Sequence, residues 1–116
     1  PPPNVSSAAS DVYKRQGEAT LSSVYPTARD RLTFPELLEE GFEPHKVREV
    51  WVMSREDADH FNEITEKDMG TAMNALAAHT SQVPPEAIER VKAWKSENGK
   101  NHDMKYAESF RTFTLR

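Results

Sequence analysis

Val50-Trp51-Val52-Met53 is the feature that most constrains this chain, because a strand with no polar alternation asks for cover on both faces. That is the signature of a strand inside a parallel sheet, not of one half-exposed to water. The strand is expected over Val47 to Met53, and only one further weak strand, Phe61 to Ile64, accompanies it. One or two short strands cannot furnish a sheet buried on both faces. The partners are therefore expected outside these 116 residues, and the chain reads as part of a larger α/β layer structure.

The helical signals lie on either side of these strands. Glu18 to Tyr25 reads as the end of a helix, with Ala19, Leu21 and Val24 apolar and Pro26 as its stop. Thr33-Phe34-Pro35-Glu36 has the spacing of a capping box, with Leu37 and Leu38 facing inward and Gly41 ending a helix of about two turns. Thr65-Glu66-Lys67-Asp68 caps a longer helix with Met69, Met73, Leu76 and Thr80 along one face. Pro85 opens the next, whose stripe is Ala87, Ile88, Val91 and Trp94, and Asn98-Gly99 closes it. The tail is ambiguous. Met104, Ala107 and Phe110 are three apart as in a helix, whereas Phe113 and Leu115 alternate as in a strand.

Residues 1–16 differ from the rest. They are rich in Pro, Ser and Ala with almost no apolar periodicity, and the run from Val5 to Gln16 looks like translated adapter sequence. Two segments are therefore expected: residues 1–16 as disordered or adapter-derived, and residues 17–116 as the folded part.

Composition excludes several function classes. Apolar residues make up 36% and charged residues 29%, which predicts a thin core. A net charge of −4 opposes nucleic-acid binding, which needs clustered cations to displace counterions. No apolar run approaches a membrane span, and no signal-like start is present, so a membrane role is not expected and a cytoplasmic location is. The absence of Cys removes disulfides, thiolate metal sites and a cysteine nucleophile.

No catalytic constellation assembles from the remaining residues. His45, His60, His79 and His102 share none of the close helical ligand spacings. Asp57-Ala58-Asp59-His60 gathers two carboxylates and an imidazole, so a metal site is conceivable, but a solvated loop leading into a strand is the preferred reading. His79, near a helix end, is expected to cap terminal carbonyls. Trp51 and Trp94 are expected as packing anchors, and Met69 and Met73 as core. Neither a Gly-x-Ser-x-Gly elbow nor a phosphate loop occurs.

Four blocks carry a resemblance. Ala28 to Trp51, with Thr33-Phe34-Pro35-Glu36-Leu37-Leu38-Glu39-Glu40-Gly41 and Val47-Arg48-Glu49-Val50-Trp51, looks like the later part of a PIG-L family (LmbE-like) deacetylase. His60-Phe61-Asn62-Glu63-Ile64-Thr65, Ala75-Leu76-Ala77-Ala78-His79-Thr80-Ser81-Gln82 and Tyr106-Ala107-Glu108-Ser109-Phe110 resemble further family blocks in the same order. The resemblance implies the C-terminal portion of a Rossmann-like three-layer α/β fold, truncated before the metal-binding strands. It implies a parent that hydrolyses N-acetyl groups on amino-sugar substrates with a divalent metal, usually zinc. In such a site the metal polarises the amide carbonyl and acidifies bound water, while an Asp acts as base.

The family's His-Pro-Asp-Asp and His-x-x-His motifs are both absent, the second being expected just upstream of Gly17. No metal ligand and no catalytic residue are therefore expected here, and no zinc should bind this piece. Some relatives place a basic residue at Lys46, beside the metal cleft, so Lys46 and its neighbour His45 are the substrate-binding candidates, against a plain surface lysine. The family's tyrosine after the Gln82 block has no counterpart, since Ala87 occupies that region. Expected partners are an N-acetylated small molecule in the parent and a second copy as homo-oligomer, with apolar surface exposed on Val50 to Met53. The competing reading is a small non-catalytic helical interaction module spanning Glu66 to Asn98.

Overall fold

A computed structural model describes residues 5–116, with side chains from residue 12 onward, so Pro1–Asn4 of the linker-like segment lie outside the described residues. The described chain is mixed α/β, with four helices and one three-stranded antiparallel sheet. It divides into two compact units, Pro1–Arg48 and Glu49–Arg116.

The first unit begins with α1, Val5–Ser22. Near its end the Thr20 and Ser23 hydroxyls donate to the Gln16 and Ala19 carbonyls at 2.8 and 2.7 Å, the back-bonding that short hydroxyl side chains make in helices. A kinked turn follows over Ser23–Thr27, with Tyr25 extended at φ −155° and ψ 127°. The ring of Pro26 crowds the residue before it out of the helical region, and the helix stops where the sequence placed its stop.

α2, Pro35–Glu39, starts one residue later than its capping-box pattern suggests. Pro35 holds the first helical position and Phe34 takes the cap, at φ −135° and ψ 74°, without a side-chain bond. The Thr33 hydroxyl instead donates to Asp30 Oδ2 at 2.8 Å, and Asp30 Oδ1 accepts the Leu32 amide at 3.0 Å. The expected box is therefore replaced by an Asx turn, because proline moved the cap away from the threonine. The other end behaves as expected. Gly41 has φ 95°, its amide donates to Leu38, and the Phe42 amide donates to Leu37, which is a Schellman closure.

The second unit holds the sheet. β1 (Glu49–Met53) and β2 (His60–Glu63) flank β3 (Ala107–Thr114), and both pair with it antiparallel. Val50 lies opposite Phe113, Met53 opposite Phe110, and His60 opposite Phe110 on the other side. The tail, ambiguous in the sequence, is a strand from Ala107, because pairing on both sides outweighs a local three-residue spacing. One expectation is corrected here. β1 has one antiparallel partner and is not buried: Trp51 is 41% and Met53 69% exposed, with Val52 similarly open. The apolar surface expected on this strand is thus present, while its cover is not supplied by the described residues.

α3, Glu66–Ala77, is capped as its sequence predicts. Thr65 Oγ1 accepts the Asp68 amide at 3.1 Å and donates to the Asp68 carboxylate at 2.8 Å. Met69 and Met73 are buried, one turn apart on the inner face. α4, Pro85–Gly99, opens on Pro85 at its first position and contacts α3, β2 and most of all β3. There Ala107 and Ser109 are buried, and Asn98 Nδ2 donates to the Ala107 carbonyl at 3.1 Å. Gly99 is itself the last helical residue, followed by Lys100 at φ −55°. Its glycine is explained by space: an added Cβ would meet the Met104 carbonyl oxygen at 2.3 Å. The chain crosses itself there, and the Gly99 carbonyl accepts the His102 and Met104 amides.

Candidate functional site

The substrate-binding candidates His45 and Lys46 follow Pro44, where the chain returns to Ala28. The His45 amide donates to the Ala28 carbonyl at 2.8 Å and closes a loop of the first unit. Inside it is an open cavity of about 300 Å³, whose apolar wall includes Phe34, Leu37 and Phe42. The Schellman turn sets this wall, since it brings Phe42 back over Leu37. On the polar rim Arg31 pairs with Glu43 at 2.9 Å, and His45 lines the same cavity. Asp30 is on the same rim, its carboxyl held below the ordinary range by the Leu32 amide first and the Thr33 hydroxyl second. Lys46 is exposed and does not line the cavity.

This cavity has a guanidinium–carboxylate pair on its rim and His45 among its lining residues, with an apolar wall. Such a surface can receive a small molecule with an apolar group and a polar head. It presents no nucleophile hydrogen-bonded to a base among the described residues. The residues that make it, Arg31, Phe42 and Glu43, escaped sequence reasoning because Arg31 and Glu43 are twelve positions apart and meet only when His45 docks on Ala28.

A second cavity, of about 400 Å³, belongs to the other unit and includes Met53, Arg55, Val91, Trp94 and Lys95. Arg55 lies over the Trp94 ring, 4.5 Å from its centroid, a cation–π contact. Lys95 pairs with Glu108 at 3.3 Å. Trp94 and Trp51 are both nearly half exposed, which corrects their expected role as packing anchors. Trp51 instead contacts the rings of His60 at 4.4 Å and Phe110 at 5.6 Å, on the sheet face the three residues share, and donates its indole N–H to Glu49 at 3.2 Å.

The remaining ionisable residues have structural partners. Asp59 Oδ1 accepts both the amide and the hydroxyl of Thr112, at 2.9 and 3.0 Å, and Arg111 approaches Oδ2 at 3.5 Å. These bonds, the Thr112 amide first, hold its carboxyl below the ordinary range. Asp57 accepts the Ser54 hydroxyl, and His60 bonds Asn62 at 2.9 Å. The Asp57–His60 cluster is therefore a strand-entry loop with its carboxylates committed to the main chain and to neighbours. His102 stacks on Phe61 at 3.7 Å. His79 caps through its backbone: its amide donates to Leu76 and its carbonyl accepts from Gln82 and Val83. The expected imidazole cap is corrected because α3 ends at Ala77, leaving the exposed ring beyond the last turn.

Zinc requires three or four convergent nitrogen, oxygen or sulfur donors. Among the described residues no three His, Asp or Glu side chains converge in that way, so they do not fit such an ion. No described helix is long and apolar enough to cross a membrane. The chain matches no family model, and no curated protein is significantly similar to it.

Proposed function

We propose that this chain is the C-terminal part of a PIG-L-like, metal-dependent N-deacetylase, with a Rossmann-like parent fold and N-acetylated amino-sugar substrates. The metal ligands and the catalytic base belong to sequence preceding Gly17, and residues 17–116 alone have no deacetylase activity. One observation carries the reading. The four resembling blocks, scattered over some eighty positions, include all three strands of one sheet: Glu49-Val50-Trp51 on β1, His60 to Glu63 on β2, and Ala107 to Phe110 on β3, with the remaining block ending α3. An assortment of unrelated short matches has no reason to fall on mutually hydrogen-bonded strands. The exposed Trp51, Val52 and Met53 of β1 also support it, since further elements of the parent would cover them.

In this reading His45, and Lys46 next to it, contribute a wall of the substrate cleft. The reading is tested by recovering the upstream reading frame. A His-Pro-Asp-Asp motif and a His-x-x-His motif, in that order, are expected there, and the absence of both overturns the proposal. Titration calorimetry of the present chain should show no stoichiometric zinc uptake at submicromolar affinity. The helical-module alternative has less support, because α4 makes its most extensive contacts with β3 rather than with α3.

A further inference from the structure

The cavity of the second unit carries charge that its own walls do not use. On its helical side Val91, Trp94, Lys95 and Asn98 recur at the spacing of one face of α4. Met53 and Arg55 line it from the sheet side. The neutral polar groups of the wall are already matched. The Ser109 hydroxyl donates to the Ser54 carbonyl, the Ser54 hydroxyl to Asp57, and Asn98 Nδ2 to the Ala107 carbonyl at 3.1 Å.

The two cations are not matched in this way. Arg55 lies over the Trp94 ring and makes no ion pair among the described residues. Lys95, whose side chain is 18% exposed, meets one carboxylate oxygen, Glu108 Oε1 at 3.3 Å, which is long for a charged pair. Glu108 and Asp57, the acids bonded to lining residues, do not themselves line the cavity. The lining thus holds two positive charges and no negative one, in a chain whose net charge is −4.

We infer that this cavity binds a small aromatic carboxylate. The carboxylate takes the N–H donors of Arg55 and Lys95, and the apolar body meets Trp94, Val91 and Met53. A monoanion is the fit, because Glu108 already offsets part of the Lys95 charge and a dianion would be left short of a partner. Trp94 and Met53 both favour an aromatic ring, the first through its π-system and the second through its polarisable sulfur. A volume of about 400 Å³ suits a small molecule. The inference rests on this cavity alone and not on the deacetylase reading, whose candidate residues lie in the first unit.

Titration of the full, isotope-labelled chain with cinnamate, followed by NMR, tests it. Saturable shifts are expected at the Trp94 indole N–H and the Arg55 and Lys95 amides, with a Kd of about 1 mM or tighter. Trp51 contacts Phe110 and does not line the cavity, so its indole should not shift. Cinnamyl alcohol, the neutral isostere, should bind at least about tenfold more weakly, since it offers the cations no charge. Arg55→Met and Lys95→Met should each weaken cinnamate binding about tenfold, and Glu108→Gln, which frees the Lys95 ammonium, should strengthen it about threefold. No saturation by about 10 mM cinnamate, equal affinity for the alcohol, or equal shifts at both tryptophans would each overturn the proposal. Should a variant fail to fold by circular dichroism, the preference for cinnamate over the alcohol on the unaltered chain decides.

Discussion

The two units of this protein are stabilised in different ways. From residue 12 to Arg48 no side chain is buried, Leu32 is 84% exposed, and the turns are closed by hydrogen bonds between residues close in sequence. From Glu49 on, three strands pair across more than forty positions, and Met69, at 3% exposure, is buried along with Met73, Ala107 and Ser109. Local bonding gives a segment its shape without much resistance to opening, because each bond competes with water for the same groups. Non-local pairing over a core resists opening, because many contacts must be lost together. A short core is enough when a central strand is held on both sides.

Both tryptophans lie in the second unit, so their fluorescence follows that unit alone, and the contrast can be tested there. The largest effect is expected for Met69→Ala, which should destabilise the second unit by about 3 kcal/mol in denaturant titration. A loss below about 1 kcal/mol would mean that the core is not what holds the strands. Gly99→Ala should cost about 2 kcal/mol, since the new methyl group meets main-chain oxygen that cannot swing aside. Thr65→Ala removes the α3 cap and should cost about 1 kcal/mol. Leu32→Ala, in the first unit, should change stability by less than about 0.5 kcal/mol when unfolding is followed by circular dichroism, which reports the helices of both units, and a larger effect would break the contrast.

Acid should sharpen the comparison further. Asp59 and Glu66 have carboxyls below their ordinary range, Asp59 chiefly through the Thr112 amide and Glu66 through its bond to Lys105. A carboxyl whose folded pKa is depressed contributes stability above its unfolded pKa and loses it as pH falls through the folded value. The second unit should therefore weaken below about pH 4, and Asp59→Asn should flatten that slope in fluorescence-monitored acid titration. Lys105 is raised by the same Glu66 bond, so its share persists at neutral pH and is lost only as alkali deprotonates it.

Legibility followed the range of the interactions. The Thr65 cap, Pro85 at the head of α4, Gly41 at the end of α2 and the β1 segment were readable because each is decided within a few residues. Thr33 was misread because a proline two positions on moved the cap, a conflict between two local rules that the pattern alone does not rank. The candidate cavity beside His45 was hardly readable, since Arg31 and Glu43 meet only through the closure of His45 on Ala28. The Arg55–Trp94 contact joins positions thirty-nine apart, and nothing in either neighbourhood announces the other.

By itself the sequence determined the helices that follow Phe34 and where most of them begin and stop, and that one strand carries more apolar surface than a chain this polar can cover; the helical run from Val5 to Gln16 it did not show. Tertiary structure alone decided that the sheet is antiparallel, that the tail supplies its central strand, that Asp59 anchors Thr112, and that Gly99 must remain small. The reason is physical. Caps and apolar stripes are set by neighbours along the chain, whereas strand direction and close crossings are set by which distant backbone donors and acceptors meet.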